Sequence, residues 1–327
     1  MVREYGGTGN IAVEDFGAKD LTVGPNDVLV RNSFAGVNFI DTYFRTGLYK
    51  KPALPYVVGE EGSGAIVKVG ENVSKERLGQ RVAYFAGSSG SYSSFSTVAH
   101  QDAYPVPDGV GDDVAASAML QGCTAHYLTE SVYQIRPGDV VLVHAAAGGT
   151  GLLLTQMAKR RGAVVVGTCG GAAKADIAKK FGSVDHLIDY QQNGGDWVSR
   201  VRELFPEGVH CVYDGVGKST FLQSLKSLRR RGTLATFGNA SGPIGPISPL
   251  ILSQHGSIIL QRPTLKDFAL HVNNEAEGRV HDVLTAIQRG ELKVTIGKVF
   301  PLQQSQDAHQ YLEARQSHGK ILINCQE

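Results

Sequence analysis

The sequence lacks the features that mark several large classes of protein. Its four cysteines stand far apart and form no CxxC pair, which disfavours a disulfide framework or a structural zinc cluster and indicates a reducing compartment. The N-terminus has no apolar signal core, and no run approaches the roughly 18 apolar residues that a membrane span needs. We therefore expect a cytoplasmic protein without a membrane partner.

The sequence also lacks an imbalance of charge. The chain has 32 Lys and Arg against 31 Asp and Glu, a formal net charge of +1, so bulk electrostatics give no support to a nucleic-acid partner. The strong basic run, Arg229 to Arg231, is predicted to end a helix, where it would complement the helix dipole.

Glycine, by contrast, is abundant. The 40 glycines exceed the roughly 7% average and indicate many tight turns and close backbone approaches. A length of 327 residues predicts two domains.

Two halves of the chain carry different patterns. Residues 1 to about 120 contain short strands, such as 64–69 and 81–85, separated by turns, which predicts an antiparallel barrel-like domain. From residue 137 onward, strands and helices alternate, beginning with the continuous apolar run 140–144. Six such strands predict an α/β fold with a doubly wound, six-stranded parallel sheet of the Rossmann type.

The tail, residues 263–327, breaks this alternation. Its helix over 278–289 and its short strands predict a return to the first domain. The predicted division is therefore a substrate and catalytic domain over 1–121, a dinucleotide-binding domain over 122–262, and a C-terminal segment over 263–327.

A glycine-rich loop, residues 144–151, joins the first parallel strand to its helix. Small residues at this turn let backbone amides approach a pyrophosphate, and the helix N-terminus adds partial positive charge. A merely tight turn is the alternative. No carboxylate occurs between Ala163 and Ala175, and Lys174 is the only charged residue there, which favours NADPH over NADH. A solvated lysine at the start of a helix is the alternative.

Seven segments together resemble the quinone oxidoreductases of the zeta-crystallin type, a zinc-free branch of the medium-chain dehydrogenase/reductase superfamily. The resemblance covers essentially the whole chain. Its segments are 36–43 (GVNFIDTY), 45–49 (RTGLY), 59–64 (GEEGSG), 121–125 (QGCTA), 145–151 (AAAGGTG), 213–217 (YDGVG) and 237–242 (FGNASG).

The resemblance implies a GroES-like antiparallel β-barrel domain, a Rossmann domain, and NADPH in the cleft between them. It implies catalytic residues near the nicotinamide and quinone, namely Asn38, Tyr43, Tyr49 and Thr124, of which Asn38, Tyr49 and Thr124 would donate hydrogen bonds. It also implies a set of cofactor contacts, namely Asn38, Tyr127, Gly148, Gly149, Thr150, Gly151, Gly170, Lys174, Tyr190, Gly215, Phe237, Gly238, Asn239 and Arg315. Gln121 departs from the pattern, because many relatives carry Lys there.

No metal site is expected. In the zinc-dependent alcohol dehydrogenases of the same superfamily, the first Cys ligand corresponds to a position near Asn38 and the usual His to Glu60, and the cysteine-rich structural lobe is missing here. Catalytic zinc needs three protein ligands.

The resemblance implies NADPH-dependent reduction of quinones, by one- or two-electron transfer. Reduction of an alkenal or enone double bond uses the same fold and cofactor and stays open. A third possibility is an NADPH-binding crystallin or RNA-binding protein with little turnover. The balanced charge of the chain argues against RNA binding. The exposed sheet edge expected at 257–260 predicts a homodimer through that strand.

Overall fold

The computed structural model describes residues 1–15, 21–85, 89–192, 195–271 and 275–326. The chain forms two compact units. The first consists of Met1–Gln121 and Val280–Glu327, and the second of Gly122–Arg279.

The regular elements follow one another in three stretches of chain. The first stretch contains β1 (Asp27–Val37), α1 (Phe39–Thr46), β2 (Glu61–Val69), β3 (Arg81–Phe85), β4 (Phe95–Ala99), β5 (Tyr104–Pro105) and α2 (Asp112–Tyr127). The second contains β6 (Val140–Val143), α3 (Gly149–Arg160), β7 (Val164–Cys169), α4 (Ala172–Phe181), β8 (His186–Asp189), α5 (Trp197–Leu204), β9 (Val209–Asp214), α6 (Phe221–Ser227), β10 (Leu228–Thr236), α7 (Leu250–Gln254) and β11 (Ile259–Gln261). The last contains α8 (Ala276–Gln288), β12 (Ile296–Pro301), α9 (Ser305–Glu313) and β13 (Lys320–Asn324).

The first unit is built on a seven-stranded sheet in the order β12-β13-β1-β2-β3-β5, with β4 also paired to β1. Every pairing in it is antiparallel except that of β12 with β13. The C-terminal strand joins the sheet by pairing Val37 with Ile321 and Phe34 with Asn324. Residues from opposite ends of the chain therefore lie side by side at the end of β1.

The second unit is built on a six-stranded parallel sheet in the order β11-β10-β9-β6-β7-β8. The predicted number of strands and the doubly wound topology are confirmed. Its core is apolar, as a sheet covered on both faces requires, with Leu142, Val166, Val212 and Leu234 fully buried. The strand order reverses between β6 and β9, where ligands bind in folds of this type.

The predicted position of the arginine run was wrong. Helix α6 ends at Ser227, and Arg229 to Arg231 lie exposed in β10. Leu228 is already buried and paired with Val209 on β9, so the backbone is extended before the run begins. The register of the β9–β10 pairing shifts between Leu228 and Thr233, and Arg231 in this interval has a left-handed conformation (φ 58°).

Helices α1 and α2 occur where the sequence pattern indicated only short strands. Both matter for the candidate site, because they carry residues that the resemblance makes catalytic. None of the helices in the described ranges is long and apolar enough to cross a membrane.

Candidate active site

The glycine loop, residues 145–151, follows β6 in the second unit. Ala145 adopts a left-handed conformation (φ 52°) and accepts a hydrogen bond from Gly148 N at 2.9 Å. Helix α3 begins at Gly149, and the first amides of a helix have no intrahelical acceptor. No side chain caps them at the N-cap residue, Gly148. A Cβ at Gly151 would overlap the Ala145 carbonyl oxygen. Only glycine allows α3 to pack this closely on the loop, as a pyrophosphate cradle requires.

The end of β7 brings together three predicted cofactor residues. A Cβ at Gly170 would lie 2.6 Å from the Tyr190 hydroxyl, so the Tyr190 ring covers the backbone there. Lys174 lies in the first turn of α4, half-buried. Burial raises the pKa of the Cys169 thiol to about 11, and the nearby charge of Lys174 acts against that rise. These residues therefore share one corner of the sheet edge.

Asp189, at the end of β8, was not predicted as part of this corner. Its Oδ1 accepts from Gly171 N at 2.9 Å and from Gln191 N at 3.0 Å. These two backbone hydrogen bonds hold the pKa of Asp189 below its ordinary value. The carboxylate thus fixes the loop after β7. The sequence signal was weak because Asp189 belongs to the next strand of the sheet.

Gly215, Phe237, Gly238 and Asn239 lie together at the ends of β9 and β10. A Cβ at Gly238 would overlap the Gly215 backbone, and one at Gly215 would lie 3.0 Å from the Phe237 ring. Asn239 is buried. Because all six strands are parallel, this cluster, the glycine loop and the β7 corner lie along one edge of the sheet.

His144 ends β6 beneath the glycine loop. It is buried, with Nδ1 2.8 Å from Thr168 Oγ1 and Nε2 3.0 Å from Ser224 Oγ, and its ring packs edge-on against Trp197. Burial lowers its pKa below the ordinary value. His144 is therefore a packed residue at the end of the strand.

Thr124 and Tyr127 are buried on α2 within the second unit. The Tyr127 ring stacks on Phe268 with centroids 5.1 Å apart, and its hydroxyl forms a hydrogen bond with Thr124. Arg315, in the first unit, is exposed directly after α9 in a left-handed conformation (φ 57°).

Asn38, Tyr43 and Tyr49 lie on and around α1 in the first unit. Asn38 caps the helix, and its backbone N–H donates to Asp41 Oδ2 at 2.8 Å. The Tyr43 and Tyr49 rings meet edge to face at 5.3 Å, and Tyr49 N donates to the Tyr43 carbonyl at 3.0 Å. The three residues predicted to be catalytic in this unit therefore lie at the start of α1, within it and shortly after it.

Four buried side chains, Asn38, Glu61, Gln121 and Lys320, form what we call the amide cluster. Lys320 Nζ contacts Glu61 Oε1 and donates to Asn38 Oδ1 at 2.9 Å. Asn38 Nδ2 donates to Glu61 Oε1 at 2.6 Å, Gln121 Nε2 donates to Asn38 Oδ1 at 3.1 Å, and Leu120 N donates to Glu61 Oε2 at 2.6 Å. Glu61 and Lys320 were not predicted as site residues. Lys320 is the first residue of an apolar strand, and a lysine at that position is usually solvated.

Glu60 stands where the resemblance puts a zinc-binding His in the alcohol dehydrogenases. Its carboxylate pairs with Lys51 Nζ at 2.5 Å, and that ammonium lies 4.0 Å from the centre of the Phe44 ring. Across the part of the chain that the structure describes, no three His, Cys, Asp or Glu side chains come together as a metal site.

Asp41 is a buried and strongly perturbed carboxyl group of this unit. Its Oδ2 also accepts from the Tyr92 hydroxyl at 3.2 Å, whereas its Oδ1 has no hydrogen-bond partner among the described residues. Burial raises the pKa of Asp41 to about 8, and the charge of Glu60 adds to the rise.

Comparison with known proteins identifies the family. The alcohol dehydrogenase GroES-like domain matches residues 24–108, and the zinc-binding dehydrogenase domain matches residues 149–285. A quinone oxidoreductase from Pseudomonas aeruginosa is 39% identical over 98% of this chain and 97% of its own. A 2-haloacrylate reductase from a Burkholderia species is 36% identical over 99% of this chain and 97% of its own.

A mycobacterial protein solved in complex with NADPH superposes with a TM-score of 0.93 at 42% identity, covering 99% of this chain and 98% of the other. The chain belongs to the quinone oxidoreductase family. With the two domain matches, this family places it in the medium-chain dehydrogenase/reductase superfamily, as the resemblance implied, with a GroES-like and a Rossmann-type domain.

Proposed function

We propose that this chain is an enzyme that reduces quinones with NADPH, by direct transfer from the nicotinamide and without zinc. The quinone oxidoreductase from Pseudomonas aeruginosa and the NADPH complex of the mycobacterial protein support the substrate class and the cofactor. The observation that carries the proposal is the glycine loop at the strand-order reversal, where a Cβ at Gly151 would overlap the Ala145 carbonyl oxygen.

The cofactor site in this proposal follows the carboxyl edge of the parallel sheet. The glycine loop holds the pyrophosphate at the N-terminus of α3, and Lys174 supplies positive charge for the 2′-phosphate. Asp189 has a structural part in this site, because its Oδ1 accepts from two backbone amides and so fixes the loop after β7. The remaining contacts in the proposal are Asn38, Tyr127, Gly170, Tyr190, Gly215, Phe237, Gly238, Asn239 and Arg315.

NADPH supplies the reducing equivalents when it is bound, so the chain's own task is positioning and charge stabilisation. Both N–H groups of the Asn38 amide are engaged, one by Glu61 at 2.6 Å and one by the Gly36 carbonyl at 3.4 Å. We therefore assign hydrogen-bond donation toward the acceptor to Tyr49 and Thr124, with Tyr43 packing against Tyr49. Asn38 takes a positioning role.

A second candidate is reduction of an activated carbon–carbon double bond. It is favoured by the similarity to the 2-haloacrylate reductase. Steady-state NADPH oxidation with 1,4-benzoquinone, 9,10-phenanthrenequinone, 2-haloacrylate and a 2-alkenal separates the two. Faster turnover of the quinones supports our proposal, and turnover of the alkenes alone replaces it with the second candidate.

We further propose a homodimer formed through residues 257–260. Strand β11 pairs with β10 on one side and ends the sheet of the described residues, and the Ile259 side chain is 52% exposed. Proteins tend to cover such an edge.

We also propose that the protein works in the cytoplasm. All four cysteines are free and buried, which suits a reducing compartment. Fractionation of the source cells, followed by detection of the protein, tests this placement.

A further inference from the structure

Lys320 is a cation buried inside the amide cluster, with only 1% of its surface exposed. Lysine is almost never buried to this degree unless its charge is paired. Its ammonium has three N–H donors. These meet the Glu61 carboxylate, Asn38 Oδ1 at 2.9 Å and the Val37 carbonyl at 3.1 Å. Lys320 therefore has no donor left for a ligand, and its role is exerted through its neighbours.

The Lys320–Glu61 pair fixes the direction in which the Asn38 amide faces. The amide oxygen accepts from the ammonium, and the amide nitrogen donates to the carboxylate. A reversed amide would place an NH2 group against the ammonium and an oxygen against the carboxylate. Both contacts would be repulsive in this buried setting, so the orientation is set by charge.

The orientation of Asn38 determines in turn what Gln121 can offer. Because Asn38 Oδ1 can only accept, Gln121 must approach it with Nε2, at 3.1 Å. The oxygen Gln121 Oε1 is then left over. The residue is 9% exposed, and this oxygen is buried without a hydrogen-bond partner among the described residues. A buried acceptor left unpaired is costly, which indicates a partner from outside the chain.

We propose that Gln121 Oε1 accepts a hydrogen bond from a bound reactant and that Lys320 is the positioning residue that holds it in this role. The inference rests on the proposed function and deepens it. The ligand group must be an N–H or O–H donor. A quinone ring carries only acceptor oxygens, so the oxidised substrate does not qualify. The carboxamide NH2 of NADPH and the hydroxyl of the hydroquinone product do.

The variant Gln121→Met tests the acceptor, because it keeps the side-chain length and removes both polar atoms. Dissociation constants are measured for NADPH and for its reduced 3-acetylpyridine analogue, in which a methyl group replaces the NH2. Inhibition constants are measured for the hydroquinone. One hydrogen bond corresponds to roughly a three- to tenfold change in binding.

If the partner is the carboxamide, the wild-type protein prefers NADPH to the analogue by about that factor and Gln121→Met does not. If the partner is the hydroquinone, the preference is unchanged and the variant weakens hydroquinone inhibition instead. If NADPH binds and neither effect is seen, this inference is wrong and the proposed function is unaffected. Failure of the wild-type protein to bind NADPH contradicts the proposed function as well.

The positioning role of Lys320 is tested separately from folding. Lys320→Met alone leaves the Glu61 carboxylate buried and unpaired and is expected to lower the unfolding temperature strongly. The double variant Glu61→Gln with Lys320→Met removes both charges and is expected to recover most of that loss. With Gln121 intact but Asn38 free to reverse, the double variant should show the same change as Gln121→Met, either in the preference for NADPH over the analogue or in hydroquinone inhibition. A folded double variant that keeps the wild-type value of the quantity that Gln121→Met changes would rule out the positioning role.

Discussion

Lys174 is the residue on which selectivity for NADPH is expected to depend. It is half-buried at the start of α4, beside Gly170 and Tyr190, where a 2′-phosphate would need a cation. Lys174→Ala is expected to weaken NADPH binding about tenfold and to leave NADH binding unchanged, since only NADPH carries the phosphate. Isothermal titration with both cofactors measures this. Lys180→Ala, at the exposed end of the same helix, is the matched control. Equal losses for both cofactors in Lys174→Ala would remove Lys174 from the site.

Asp41 gives the protein a pH-dependent stability. Its pKa rises from 3.8 to about 8 on folding, mainly through burial. The native state therefore holds the Asp41 proton over a range in which the unfolded chain has lost it, so the Asp41 contribution is greatest below about pH 4 and declines until about pH 8. The amide introduced by Asp41→Asn does not titrate. The unfolding free energy of the wild-type protein relative to this variant should thus fall between these limits in urea titrations. A difference independent of pH would contradict the burial argument.

At the scale of an element, the junction of the glycine loop with α3 depends on the absence of a side chain at position 151. Gly151→Ala would force the Cβ into the Ala145 carbonyl and push the helix off the loop. We expect a loss of about 1–3 kcal/mol in unfolding free energy and a clear loss of NADPH affinity. Thermal unfolding and cofactor titration measure both effects.

Gly278→Ala is the control for that substitution. Gly278 lies in α8, and a Cβ there would have nothing within 4 Å. The change should leave stability equal or raise it by up to about 1 kcal/mol, because alanine favours helix. Equal behaviour of the two variants would show that position 151 does not need glycine.

The strands of the second unit were predictable because each is an apolar run between helices. Helix α2 was not, since most of its residues are buried, none is exposed, and a helix buried on all sides shows no 3.6-residue period. Helix α1 is short and buries polar residues such as Asp41 and Arg45, which in sequence resemble a loop. The arginine run was misplaced because local composition does not reveal that Leu228 already pairs with β9.

At the scale of the whole molecule, the fold class followed from sequence because strand–helix alternation is a repeating local pattern. The amide cluster could not be predicted from the sequence. Its members come from the end of β1, from β2, from α2 and from β13, up to 282 positions apart in the Lys320–Asn38 hydrogen bond. Nothing local at Lys320 indicates burial, and only the pairing of β13 with β1 brings its ammonium to Glu61.

The proposed homodimer is also a property of the whole molecule. Light scattering at micromolar concentration should give twice the chain mass of 34.9 kDa. Ile259→Lys places a charge on the exposed sheet edge and should shift the protein toward the monomer, whereas Leu78→Lys, at an exposed position of the first unit, should not. A monomeric wild-type protein would refute the dimer.

The central claim is that this chain transfers reducing equivalents from NADPH to a quinone. The most direct measurement is a single-turnover experiment in which the protein, saturated with NADPH, is mixed with 9,10-phenanthrenequinone and the fluorescence of NADPH is followed. We expect a loss of NADPH fluorescence whose rate depends on the protein, with much weaker reaction when NADH replaces NADPH. If NADPH binds and the quinone oxidises it no faster than in protein-free solution, the chain is not an NADPH-dependent reductase of this quinone and the proposed function is wrong.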